Sequence, residues 1–147
     1  MFHSILIACI GNVCRSPMAE AILKDRFARR GLGVRVESAG ISALVGRPAE
    51  RFAQELMRER GLDISAHRAR QLTRELVTRD ELILVMEAAH QKIIEAKYPT
   101  ARGRVHRIGR WGAFDVPDPF RGPRAEFEQA LALIDRGVAD LERAFWA

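Results

Sequence analysis

Cys9 and Arg15 bracket a short loop in the stretch Cys9-Ile10-Gly11-Asn12-Val13-Cys14-Arg15-Ser16-Pro17. A cysteine thiolate is a strong nucleophile, and a guanidinium offers a planar fork of donors that matches two phosphate oxygens at once. Gly11 lets the backbone turn sharply and approach a ligand closely. The N–H groups of Ile10, Gly11, Asn12, Val13 and Cys14 then converge into a nest for an anion. A thiolate at the base of that nest is placed to attack a bound phosphoryl group. The nest, the helix end and Arg15 all favour the charged sulfur. Ser16 is in range to donate its hydroxyl to the Cys9 sulfur, and Asn12 to brace the loop through its side-chain amide. The plainer account of the same residues is a buried cysteine beside a helix capped by Ser16.

Such a loop needs a strand before it and a helix after it. The apolar run from Phe2 to Ala8 reads as a buried strand. Ser16 to Phe27 reads as a helix, with Pro17 in the first turn, where a missing N–H costs nothing. A strand joined to a helix N-terminus is where doubly wound α/β proteins bind anions. A second chemical candidate lies far along the chain, in a long loop from Gly109 to Gly122 that carries Asp115, Asp118, Trp111, Phe114 and Phe120. Asp118 stands between Pro117 and Pro119, which restrict its backbone and suit it to holding a proton donor in place. The competing account is a surface turn whose aspartate bonds its own backbone.

Between these, the pattern alternates strand and helix. Ala19, Ile22, Leu23 and Phe27 recur at helical spacing, and Gly31 and Gly33 mark the turn that follows. Val34–Ala39 reads as a second strand and Pro48–Arg60 as a helix capped by Gly61. A short helix is expected from Ser65 to Leu72. Glu81–Met86 is an unbroken apolar strand after its first residue, typical of a parallel sheet covered on both faces. Glu87 sits at its exit. Ala88–Lys97 is a helix, Val105–Ile108 an edge strand, and Arg124–Arg143 a final helix with Phe127, Leu131, Ile134, Val138 and Leu141 on its inner face. The pattern specifies a three-layer α/β/α sandwich with a four-stranded parallel sheet, Rossmann-like in its right-handed crossovers.

Composition sets weaker bounds. The 147 residues suit a single domain, 1–147, with a proper core. The net charge of +5 comes from 24 basic and 19 acidic residues. The arginines are mixed with glutamates along helices and form no basic tail, so no nucleic-acid partner is expected. No apolar run is long enough to insert in a membrane, and a cytoplasmic location is expected. Two cysteines make no disulfide framework, and without paired histidines or further cysteines they make no zinc site.

Cys9 to Pro17 resembles the signature loop of the low-molecular-weight protein tyrosine phosphatases. The similarity continues through Met18-Ala19-Glu20-Ala21, Ser38-Ala39-Gly40, Asp63 to Arg70, and Asp115-Val116-Pro117-Asp118-Pro119-Phe120, in the family's order. Ala43-Leu44-Val45-Gly46 and Gly109-Arg110-Trp111 more closely resemble its bacterial branch, many members of which act on tyrosine kinases of capsule and exopolysaccharide export. The resemblance implies strand order 2-1-3-4 and hydrolysis of phosphotyrosine through a cysteinyl-phosphate. It makes Cys9 the nucleophile, Arg15 the phosphate-binding cation and Asp118 the general acid, with no metal or cofactor. It implies phosphate contacts from Ile10 to Cys14 and Ser16, and a substrate wall from Leu44, Trp111 and Phe120. It also implies that Cys14 can trap an oxidised Cys9. The partners implied are tyrosine-phosphorylated proteins, an autophosphorylating bacterial tyrosine kinase among them. Two alternatives remain open on the residues: an arsenate reductase, which needs more cysteines than this chain has, and a phosphotyrosine-binding module without turnover.

Overall fold

Ser4–Cys9 forms β1, and all six of its residues are buried. The computed structural model describes residues 2–146. The other strands are β2 (Arg35–Gly40), β3 (Leu82–Val85) and β4 (Val105–Arg107). The helices are α1 (Arg15–Arg29), α2 (Arg51–Glu59), α3 (Arg74–Arg79), α4 (Ala88–Lys97) and α5 (Arg124–Phe145). The sheet runs in the order β2-β1-β3-β4, with every pair parallel. β1 therefore has a neighbour on each side, and its last residue, Cys9, pairs with Gly40 at the carboxyl edge of the sheet.

Side chains alternate between faces along a strand, so each strand feeds two cores. Ile5, Ile7, Leu82 and Leu84 pack with Met18, Ile22, Leu23 and Phe27 of α1 and with Phe127, Ile134, Val138 and Leu141 of α5. Leu6, Ala8, Ile83 and Val85 pack on the opposite side with Leu76, Val77, Ile94 and Tyr98. Each fully buried aliphatic side chain contributes about 1.5–3 kcal/mol, enough across two cores to hold the sheet rigid. The expected inner faces of α1 and α5 are the observed ones. α5 runs on to Phe145, where Phe145 and Trp146 close over Phe2 and Phe27.

The segment 65–72 departs from expectation. It forms no helix, because its backbone groups are used by the neighbouring loops. Ala69 N–H donates to Arg47 O at 2.8 Å, Gly40 N–H to Arg70 O at 2.9 Å, and Leu72 N–H to Gly40 O at 2.8 Å. The helix begins later, at α3, where Thr73 caps the N-terminus by accepting from Leu76 N–H. The Thr73 cap with Glu75 in the first turn is the sequence signal for this helix.

Gly40 sits where β2, the cradle loop and the 65–72 segment converge. A Cβ there would stand 2.6 Å from Ile10 O and 3.0 Å from Ala43 Cα, both backbone atoms. Gly33 has open space around it. Gly40→Ala is therefore expected to destabilise the protein by about 1–3 kcal/mol and to lower Tm by several degrees. Gly33→Ala should change stability by no more than about 0.5 kcal/mol. Calorimetry on the two variants checks this, and equal Tm values would refute the close approach at Gly40.

Candidate active site

A cradle of backbone N–H groups forms only if the carbonyls of the same residues are satisfied on the outside. Here they are. Cys9 O accepts from Ile41 N–H at 2.9 Å, Ile10 O from Ser42 at 3.0 Å, Gly11 O from Leu44 at 3.0 Å, and Val13 O from Glu50 at 2.8 Å. Asn12 O lies 2.8 Å from His67 Nε2. The N–H groups of Gly11, Val13 and Cys14 have no protein acceptor among the described residues, and all three residues line one cavity. That cavity, of about 110 Å³, is also lined by Cys9, Ile10, Arg15, Ser42, Leu44, Asp118 and Phe120.

Asn12 makes the turn. Its φ of 61° lies in the left-handed region, which asparagine tolerates better than most residues. It is fully buried and fully used. Its Nδ2 donates to Ser16 Oγ at 2.7 Å and to Ser38 Oγ at 3.0 Å. Its Oδ1 accepts from Arg70 N–H at 3.0 Å. Ser38 in turn donates to Glu20. The Cys9 sulfur lies 2.9 Å from Ser16 Oγ and accepts from Asn12 N–H at 3.3 Å. When the sulfur is ionised, the only hydrogen on the Ser16 contact is the hydroxyl's, so Ser16 donates.

Arg15 is buried beneath the cavity, and its guanidinium is partly committed. One amino group donates to Glu87 Oε2 at 2.5 Å and to Val116 O at 2.7 Å. The other stands 3.6 Å from Asp118 Oδ2. Among the described residues Nε is buried without a partner, a donor left over for a ligand oxygen. Glu87, at the N-terminal cap of α4, is the residue that aims this fork. Its carboxylate is in turn 3.4 Å from Nε2 of the buried His90.

The Asp118 loop is pinned to the end of the sheet. Val116 N–H donates to Met86 O at 2.8 Å. Asp115 accepts from Ala88 N–H at 3.1 Å and from Arg107 at 3.0 Å, which gives it a structural task away from the cavity. Asp118 Oδ1 accepts from Phe120 N–H at 3.1 Å, so it makes the local backbone bond of a surface turn and still presents Oδ2 toward Arg15. Leu44 and Phe120 stand on the cavity wall. Trp111 does not line it; its ring lies edge-on to Phe145, with centroids 5.6 Å apart. Cys14 lines the cavity as a free, buried thiol. Burial, with the charges of Asp118, Cys9 and Glu50, pushes that thiol well above its ordinary range. Sequence reasoning did not anticipate His90, Glu20, Ser38 or Arg70 as parts of the site. The Glu87-x-x-His90 spacing at a strand exit was the available signal for the first.

This geometry places a cysteine sulfur beside an anion cradle, with one guanidinium and one carboxylate on the same cavity, at the carboxyl edge of a parallel sheet. The family model described as low molecular weight phosphotyrosine protein phosphatase matches residues 4–145, and the chain belongs to that family. Its activity is protein-tyrosine-phosphatase activity. A relative named "Probable low molecular weight protein-tyrosine-phosphatase EpsP", from Ralstonia solanacearum, is 51% identical over 138 residues, covering 94% of this chain and 92% of the relative. The structure of Vibrio vulnificus Wzb in complex with benzylphosphonate superposes with a TM-score of 0.92 at 37% identity, covering 99% of this chain and 100% of Wzb. The YwlE arginine phosphatase of Geobacillus stearothermophilus shares the fold at a TM-score of 0.81 and 33% identity, over 97% of this chain and 94% of that one.

His90 gives the site a pH signature. Burial, then the Arg15 guanidinium, push its imidazole below the usual histidine value, against an opposing pull from Glu87, Asp115 and Asp118. The unfolded chain therefore binds a proton at about pH 6.5 that the native state resists, and stability present above that pH is lost as the pH falls. His106 is shifted the same way by burial and Arg110 and adds to the slope. Between about pH 6.5 and 5, Tm should fall less steeply in His90→Gln than in the wild type. Thermal unfolding across that range measures the slope, and parallel curves would remove His90 from the account.

Proposed function

We propose that Cys9 attacks the phosphorus of a bound phosphotyrosine in line, forming the S–P bond as the P–O bond to tyrosine breaks. The cradle N–H groups and the free donors of Arg15 stabilise the equatorial oxygens, and Asp118 gives its proton to the departing phenolate. Asp118 then takes a proton from water, whose oxygen displaces the sulfur and releases phosphate. Ser16 and Asn12 hold the thiolate between turnovers. Leu44 and Phe120 take the ring, while Trp111, packed on Phe145, supports the loop from behind. The observation that carries this reading is the convergence of Cys9, Arg15 and Asp118 on one small cavity.

The same proposal treats 1–147 as one phosphatase domain working in the cytoplasm, and takes as partner a tyrosine kinase of capsule or exopolysaccharide export. What supports the partner is the resemblance of the Ala43–Gly46 and Gly109–Trp111 stretches to the bacterial branch. No described helix is long and apolar enough to cross a membrane. We also propose that Cys14 attacks the sulfenic acid that a peroxide forms on Cys9, making the Cys9–Cys14 disulfide and releasing water.

Asp118→Asn should lower phosphotyrosine turnover by roughly 10²–10³-fold, and lower leaving-group release much less for aryl phosphates whose phenol is strongly acidic. Pre-steady-state release across a series of phenols tests this, and equal losses throughout would take the acid role from Asp118.

The walls at Val13, Leu44 and Phe120 are apolar, and Cys9 is a buried member of the same lining. A phosphotyrosine reaches it with its ring against those walls, whereas a phosphoserine is short and a phosphoarginine would bring a cation to a wall with no acid besides Asp118. On peptides matched in all other residues, kcat/KM should be highest for phosphotyrosine. Comparable values for the three would contradict the assignment of the wall.

A further inference from the structure

Next to Phe120 of the cavity wall stands a residue that the catalytic reading leaves unused. Arg121 follows Phe120 directly, and its φ of 66° lies in the left-handed region. Only three non-glycine residues among those described adopt a positive φ there, and one of the other two is Asn12, the turn of the cradle. A bulky side chain in that conformation is unfavourable, and glycine would remove the cost. The arginine is nevertheless held in a defined place. Its guanidinium carbon lies 5.2 Å from the centroid of the Phe120 ring, the same ring that lines the cavity. Stacking uses the face of the guanidinium and leaves the N–H edges free.

Those edges meet no carboxylate. Many arginines of this chain are ion-paired, among them Arg60 with Asp135, Arg107 with Asp115 and Arg124 with Glu59. Arg121 is exposed and has no acidic partner within 4 Å among the described residues. The nearby acids are otherwise engaged. Asp118 faces Arg15 and caps its own turn, and Glu126 packs its carboxylate against Gly122. Arg47, which has no acidic partner within 4 Å among the described residues, stands on the loop after β2, where its N–H donates to the carbonyl of Leu44, the other wall residue.

We propose that Arg121 is a specificity-determining residue of this phosphatase. It takes an anionic group of the substrate peptide that flanks the phosphotyrosine, either a carboxylate or a second phosphate. The proposal rests on the reading that the cavity holds phosphotyrosine. The ring would enter beside Phe120, and a side chain one or two residues away would then cross the outer face of that ring, where the guanidinium edge waits. Arg47 lends long-range attraction from the other side.

The test compares three phosphotyrosine peptides, one with neutral flanks, one with glutamate on both sides, and one with a second phosphotyrosine. The wild type should favour both anionic peptides over the neutral one by about 3–10-fold in kcat/KM, mostly through KM, with the advantage shrinking in high salt. Arg121→Gln should bring the ratios close to one. Arg121→Glu should reverse the order when a lysine-flanked peptide is added, a result that loss of packing alone does not produce. Preference for the doubly phosphorylated peptide alone identifies phosphate as the anion. Equal kcat/KM for neutral and anionic peptides in the wild type overturns the proposal, as does a preference that survives Arg121→Glu. Failure to hydrolyse even the neutral peptide overturns the reading of the cavity and the proposal together, and so is distinguishable from failure at the rim alone.

Discussion

Aiming several backbone N–H groups at one point forces the corresponding carbonyls to find partners on the far side of the loop. That requirement organises this protein. The carbonyls of Cys9, Ile10, Gly11 and Val13 are taken by the loop that follows β2 and by the start of α2, and that of Asn12 meets His67. The 41–50 segment is thus the outer wall of the cradle. It is fastened in turn by Gln71, whose side chain accepts from Ala43 N–H and donates to Ile41 O. The extended path of 65–72 follows from the same demand, since a helix there would have consumed the groups that tie these loops together.

Asn12 concentrates the constraint in one residue. A left-handed conformation is most freely supplied by glycine, yet glycine has no amide to join Ser16, Ser38 and the Arg70 backbone. Asparagine tolerates the conformation and provides the bonds. Buried polar groups are costly unless satisfied, and here the network from Glu20 through Ser38 and Asn12 to Ser16 ends on the Cys9 sulfur. The turn of the cradle is fixed because the polar atoms of Asn12 have partners, and those partners sit on β2, α1 and the 65–72 segment.

Arg15 is balanced differently. It is buried, and it keeps company with Glu87, Val116 O and Asp118. A guanidinium neutralised on all sides would bind phosphate poorly. Only one amino group is heavily committed, and among the described residues Nε is left without a partner. Glu87 and His90 thus orient the fork without occupying it. The charge that remains is available to an incoming dianion, in a cavity where low dielectric strengthens each contact.

Much of this was legible in the chain itself. The apolar run before Cys9, the spacing of Cys9 and Arg15, and the two prolines around Asp118 are local features, and local sterics and hydrophobic periodicity are written in neighbouring residues. They determine the strand, the cradle, the helix and the rigid loop, and the family resemblance extends them to a sheet order that the structure shows. The tertiary structure decided what depends on residues far apart in sequence. Asp115 was separated from Asp118 by Ala88 and Arg107, and Trp111 was drawn to Phe145 at the end of α5. The 65–72 segment was pulled out of helix by Gly40 and Arg47. Glu87 acquired its meaning from Arg15, a residue on another element. A hydrogen bond between distant residues leaves no periodicity in the chain, so only the assembled fold could show which polar groups face one another.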